Sequence, residues 1–231
     1  ECILCGNPCG PGIASTGLGN FTSTELEKKL AGKQASIASG VNEYTEELNG
    51  GTTPKDLRTL FELIYLKFQK PCNDVDGYNN IIAQLKNGLM NAEKLPQHAF
   101  SDSITSTLYH KNPRRGSLHL ADLDKADFET IKRLYSERFA SAGDFDFYFT
   151  GAINVDSLRL FTEQYIAPLP GVKARETYKD LGIEPVKGVV TNRFLREMET
   201  PQAQLVQLWS GKAPYSMKDA ITASILGGGL E

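Results

Sequence analysis

The sequence predicts an α+β fold, with helices packed on a mostly antiparallel sheet. Three observations carry this. Apolar residues recur at helical spacing over long stretches, most clearly Leu57, Leu60, Phe61, Ile64, Tyr65 and Phe68. Residues 34–49 form two runs that read as a β-hairpin, which argues against a purely parallel sheet. Phe145, Phe147 and Phe149 alternate with Asp146, Tyr148 and Thr150, the period of a strand with one buried face.

Taken in order, residues 1–16 show no periodicity and read as an irregular leader. Thr22 and Glu25 form a capping box for a short helix with Leu26 and Leu30 on one side. In the hairpin, Ile37 and Val41 face one way, Tyr44 and Leu48 continue it, and Gly50-Gly51 ends it. Thr53-Pro54 opens the clearest helix, and Pro71 closes it. A second helix carries Tyr78, Ile81, Ile82, Leu85 and Leu89 on one face. Residues 95–116 read as a polar connector with a short helix over 101–108. Asp124 or Asp127 caps a helix with Phe128, Ile131, Leu134, Tyr135 and Phe139 inward. The Phe-rich strand follows. Gly151 breaks it, and Asn154 or Asp156 caps a helix that Pro168 and Pro170 stop. Residues 171–186 read as a linker, 189–195 and 204–209 as strands, and Ser216 caps a last helix.

The bulk numbers bound the function. At 231 residues the chain holds one large domain, or one domain and part of another. The net charge is −3 and no basic stripe exists, so no nucleic-acid partner is expected. No run of about 18 apolar residues exists, so no membrane span is expected. The chain begins with Glu1 and ends in GGGLE, which reads as a piece of a longer protein, so a missing targeting signal does not place the parent.

A search for chemistry finds little. Cys2, Cys5 and Cys9 crowd the start, and C-x-x-C supplies two thiolates to a metal or redox cluster. No nearby His or Cys gives a fourth ligand, and Cys72 is far off. His98, His110 and His119 make no ligand pair on a helix, and there is no G-x-S-x-G or P-loop. Gly17-x-Gly19 lacks the third glycine of a dinucleotide site. Arg114-Arg115 suits an anionic ligand end or an exposed loop. Asp144, Asp146 and Asp156 flank the Phe-rich strand without a base. No catalytic, cofactor-binding or metal residue is assigned.

Three stretches, matching in order, carry a resemblance: GLGNFTSTELEKKLAGK, PKDLRTLFELIYLKFQKP and LYSERFASAGDFDFYFTGAINVDSLRLFTEQYIAPLP. Together they resemble the pitrilysin/insulinase family of zinc peptidases, above all its large bacterial envelope members. The likeness runs over residues 17–226. It implies a metallohydrolase-like domain of the pitrilysin and mitochondrial-processing-peptidase type, helices on a sheet, within a protein of two halves that close around a chamber. In such proteins only the N-terminal half carries zinc, through an inverted His-x-x-Glu-His helix and a distant Glu.

Carried over position by position, the zinc helix falls on Pro8, Cys9, Gly10, Pro11 and Gly12, and the distant Glu near Lys86, Asn87 and Gly88. Neither the ligands nor the general base stands there. The resemblance is therefore to the C-terminal, non-zinc half. The Arg and Tyr which that half lends to the substrate site would lie beyond Glu231. This implies an α+β domain over 17–170 and the beginning of a second, related one over 187–231. It also implies no metal in this chain, zinc elsewhere in the parent, and partners that are peptide or unfolded polypeptide together with the zinc-carrying half. A peptide is expected to add as a strand to a sheet edge. The place implied is the bacterial cell envelope. The alternative is a catalytically dead relative that serves as a scaffold or assembly subunit.

Overall fold

The computed structural model describes residues 17–42, 45–70, 74–171, 177, 179–197, 201–211 and 216–228. Helix α1 (Ser23–Leu30) opens on the expected capping box. Thr22 Oγ1 accepts from the Glu25 amide at 3.3 Å, and the Glu25 carboxylate accepts from the Thr22 amide at 2.9 Å. Those bonds to Thr22 hold the Glu25 carboxyl below its usual range.

Strands β1 (Ala35–Val41) and β2 (Glu46–Thr52) pair antiparallel, with Ala35 opposite Thr52 and Val41 opposite Glu46. The hairpin was expected to end at Gly50-Gly51, but both glycines lie inside β2. Gly50 sits where a helix presses on the sheet. A Cβ there would come 2.7 Å from the Ser36 carbonyl oxygen and 3.1 Å from Leu60 Cδ1. The glycine serves close approach, not a turn.

That helix is α2 (Leu57–Gln69), entered through a 3₁₀ turn at Pro54–Asp56. It buries Leu60, Phe61, Leu63, Ile64 and Lys67, a wider stripe than one face. The reason is that two layers flank it. The hairpin covers one side, where Lys67 Nζ donates to Ser39 Oγ at 3.4 Å. An aromatic segment covers the other. Arg58 Nε donates to Glu62 at 3.1 Å and to the Tyr165 hydroxyl at 3.1 Å, tying in the last helix of this region.

Helix α3 (Val75–Ala92) is capped by Asp74, whose carboxylate accepts from the Gly77 amide at 2.8 Å. Its Tyr78 packs on Phe128 with ring centres 5.0 Å apart, and Ile82, Ile131 and Tyr135 close around them. The expected short helix over 101–108 is longer. Helix α4 spans Pro96–Leu108, because Pro96 occupies a first-turn position where no N–H is needed. A one-turn helix, α5 (Leu120–Leu123), was not foreseen. Of the two candidate caps before α6 (Phe128–Arg138), Asp127 is the one used, accepting from the Thr130 amide at 2.8 Å. Asn154 caps α7 (Val155–Phe161), accepting from Ser157 at 2.9 Å. Helix α7 then widens into a π turn at Thr162–Ile166.

The expected strands fare differently. Residues 145–150 are extended, with Phe145, Phe147 and Phe149 half-buried and Asp146, Tyr148 and Thr150 exposed, but they join no sheet. Residues 189–195 and 204–209 also form no strand. A strand exists only through its ladder, and among the described residues these segments have none. The α+β class holds in coarse form: mixed helix and strand, with helices around a two-stranded antiparallel sheet. Beyond it, Ser216 caps α8 (Met217–Gly228) through its hydroxyl, which accepts from the Asp219 amide at 3.0 Å.

Candidate functional site: an aromatic edge and an apolar groove

Two surfaces stand out. The first runs along α2. Phe149 stacks on Phe61 with centres 5.2 Å apart and planes 14° off parallel. Phe145 meets Phe68 edge-on at 5.0 Å, and Phe147 meets it at 6.2 Å. Phe139 continues the stack, 5.5 Å from Phe145 and 4.5 Å from Tyr135. Burial pushes the Tyr135 hydroxyl up to about 12, so it stays protonated and donates to the Lys67 carbonyl at 3.5 Å. Such ring pairs contribute about 0.5–1.5 kcal/mol each beyond burial. They hold the Phe145, Phe147 and Phe149 side of this segment against α2. Phe145 N–H donates to the Ala142 carbonyl at 3.2 Å. Beyond it, no backbone bond joins Phe147–Thr150 to another segment among the described residues.

The second surface is a groove between α4 and residues 184–194 and 204–211. Phe100, Ile104 and Leu108 form one wall, and Val189, Leu205 and Trp209 the other. Polar ties hold it: Val186 N–H donates to the Leu108 carbonyl at 2.7 Å, and Asn192 Nδ2 reaches Ser103 at 2.7 Å and Thr107 at 2.8 Å. The sequence reading missed it because 95–116 looked polar; Pro96 was the signal for a longer helix.

The singled-out residues do not converge. His98 lies on α4. His110 takes a left-handed backbone at φ 52°. His119 sits between Glu93 and Asp102, 3.7 Å from each, at the junction of α3, α4 and α5. Arg115 lies over the Tyr109 ring at 5.1 Å. Asp144 has a buried Oδ1 with no hydrogen-bond partner among the described residues. Cys2, Cys5, Cys9, Cys72 and the stretch Pro8 to Gly12 lie outside the described residues. At the other zinc-matched place, Lys86 donates to Asp124 at 2.6 Å on the outside of α3. An ammonium, with Asn87 and Gly88 beside it, does not fit a zinc ligand set. Among the described residues, no three His, Cys, Asp or Glu are grouped to hold a metal. No described helix is long and apolar enough to cross a membrane.

No family model and no curated protein matches the chain. Solved structures do. The ferredoxin protease FusC, an E83A mutant in complex with Arabidopsis ferredoxin, is similar over 78% of this chain, at 17% identity and a TM-score of 0.60. The periplasmic protease PqqL from Escherichia coli is similar over 75%, at 18% identity and a TM-score of 0.61. The fold is the one found in these proteases. A protease from Helicobacter pylori also matches over 78% of the chain, at 12% identity and a TM-score of 0.54. All three are pitrilysin/insulinase-like zinc proteases, the kind the sequence resembles. The chain spans 20% of FusC, 20% of PqqL and 44% of the Helicobacter protein.

Proposed function

We propose that this chain is part of the non-catalytic half of a pitrilysin/insulinase-type zinc peptidase of the bacterial cell envelope. It walls the chamber and holds peptide or unfolded polypeptide, while zinc and the general base lie in another part of the parent. The observation that carries this is the fold shared with FusC and PqqL over three quarters of the chain but a fifth of theirs. The amino acids at the positions matched to the zinc ligands support it, since Pro8, Cys9, Gly10, Pro11 and Gly12, and Lys86, Asn87 and Gly88, include no histidine and no carboxylate. PqqL is periplasmic and FusC was captured with a protein substrate, which supports the place and the ligand class.

Metal analysis and a peptidase assay on the purified chain test this. The expected result is no stoichiometric zinc and no cleavage of a quenched unfolded substrate. Stoichiometric zinc, or cleavage that a chelator abolishes, sinks it. A parent gene lacking His-x-x-Glu-His upstream of Glu1 turns the reading to a scaffold subunit instead.

A further inference from the structure

We infer that residues 189–196 are a releasable strap across α4, and that its opening bares the apolar side of that helix. Hydrogen bonds at three places lay the strap down. At its root, Val186 N–H donates to the Leu108 carbonyl at 2.7 Å. Midway, Asn192 Nδ2 reaches Ser103 Oγ at 2.7 Å and Thr107 Oγ1 at 2.8 Å. At its far end, Arg196 Nη2 donates to the Glu93 carbonyl, just past α3, at 2.8 Å. The strap thus runs from the C-terminal end of α4 back past its start. Its Val190 and Phe194 line the groove together with Phe100 and Ile104.

The central pin suits one side chain. Ser103 and Thr107 lie one helical turn apart on the same face, and the two N–H groups of a primary amide match their hydroxyls. Thr107 Oγ1 donates to the Ser103 carbonyl at 2.7 Å, which leaves its lone pairs for Asn192. Burial holds the strap only weakly. Every residue over 187–197 is exposed, Val189 fully and Leu195 at 92%. The strap therefore turns a polar side chain inward and apolar ones outward, and its exposed bonds replace water at small net gain. Between root and pin stands Gly188, left-handed at φ 83° with open space where a Cβ would be. Glycine adopts that backbone without steric cost and moves freely from it, as a hinge requires. A swing at Gly188 keeps the Val186 bond and frees Asn192 and Arg196. Phe100 and Ile104, now half-buried, then face solvent.

The test uses the whole chain and a double variant, Ser103→Ala with Thr107→Ala, which removes both acceptors and leaves the strap's own sequence intact. Brief trypsin treatment reports the open strap through cleavage after Arg193, since cleavage follows the population of the open form. A naphthalene sulfonate dye reports bared apolar surface, and amide exchange reports the rest of the fold. The expected result is about tenfold faster cleavage in the variant, the equivalent of one or two net hydrogen bonds. Dye fluorescence rises, and exchange at Val186 and in β1 and β2 is unchanged. Asn192→Ala gives the same increase, and combining all three substitutions adds nothing further, as for groups that share one interaction. Unchanged cleavage in the double variant overturns the inference. So does faster cleavage together with faster exchange at Val186 or in β1 and β2, which would mean that the whole region loosens. Faster cleavage with no added dye binding also overturns it, because the strap would then cover nothing.

Discussion

Phe61 and Leu205 are both large and apolar, yet one is 0% exposed and the other 83%. The contrast extends to their regions. The buried apolar residues of the described chain all fall between Leu18 and Leu169, whereas Val189, Leu195, Trp209 and Ile225 stand in solvent. Side-chain type does not separate the two regions; layers do. Helix α2 has the hairpin on one side and the aromatic segment on the other. Among the described residues of 179–228 there is one helix and no strand, so their apolar side chains meet little. Exposed apolar surface on this scale marks interaction surfaces, ligand grooves or aggregation-prone segments.

The comparison breaks most readily at Phe61. Phe61→Ala removes the ring that Phe149 and Phe161 pack against. It is expected to cost about 3–5 kcal/mol, read from urea unfolding by far-ultraviolet circular dichroism. Gly50→Ala tests the other side of α2. Its Cβ would press on the Ser36 carbonyl and on Leu60, and a loss of about 1–3 kcal/mol is expected in the same assay. An unchanged midpoint would mean that β2 does not lie so close to the helix. Leu205→Ala sharpens the contrast from the far region. Its change is expected to stay within about 0.5 kcal/mol, because little packing is lost. A cost as large as that of Phe61→Ala would place Leu205 in a core and erase the distinction.

What the sequence told, it told locally. Thr22 with Glu25, Asp127 and Asn154 announce helix starts because a cap bonds within its own turn. The spacing from Leu57 to Phe68 announces α2 for a similar reason, being a local count. The Phe145, Phe147, Phe149 alternation was also legible, down to which residues face in. That it has no ladder among the described residues was not, since pairing depends on distant backbone. The same applies to residues 189–195 and 204–209, whose composition suits strands that find no partner among the described residues. Gly50 misled because glycine serves both turns and close approaches, and only the position of Leu60 decides between them. The candidate surfaces were half visible: the aromatic face from its period, the groove not at all.

Trp209 is the only tryptophan in the chain, and it stands 75% exposed on the groove wall. The chain thus carries a built-in optical reporter in its least covered region, while Tyr78 and Tyr135 are packed around α3 and α6. Excitation selective for indole reads the state of that wall alone. A red emission maximum that acrylamide quenches freely describes the bare groove. A blue shift on adding a partner would signal that the wall has been covered, whatever happens to the core behind it.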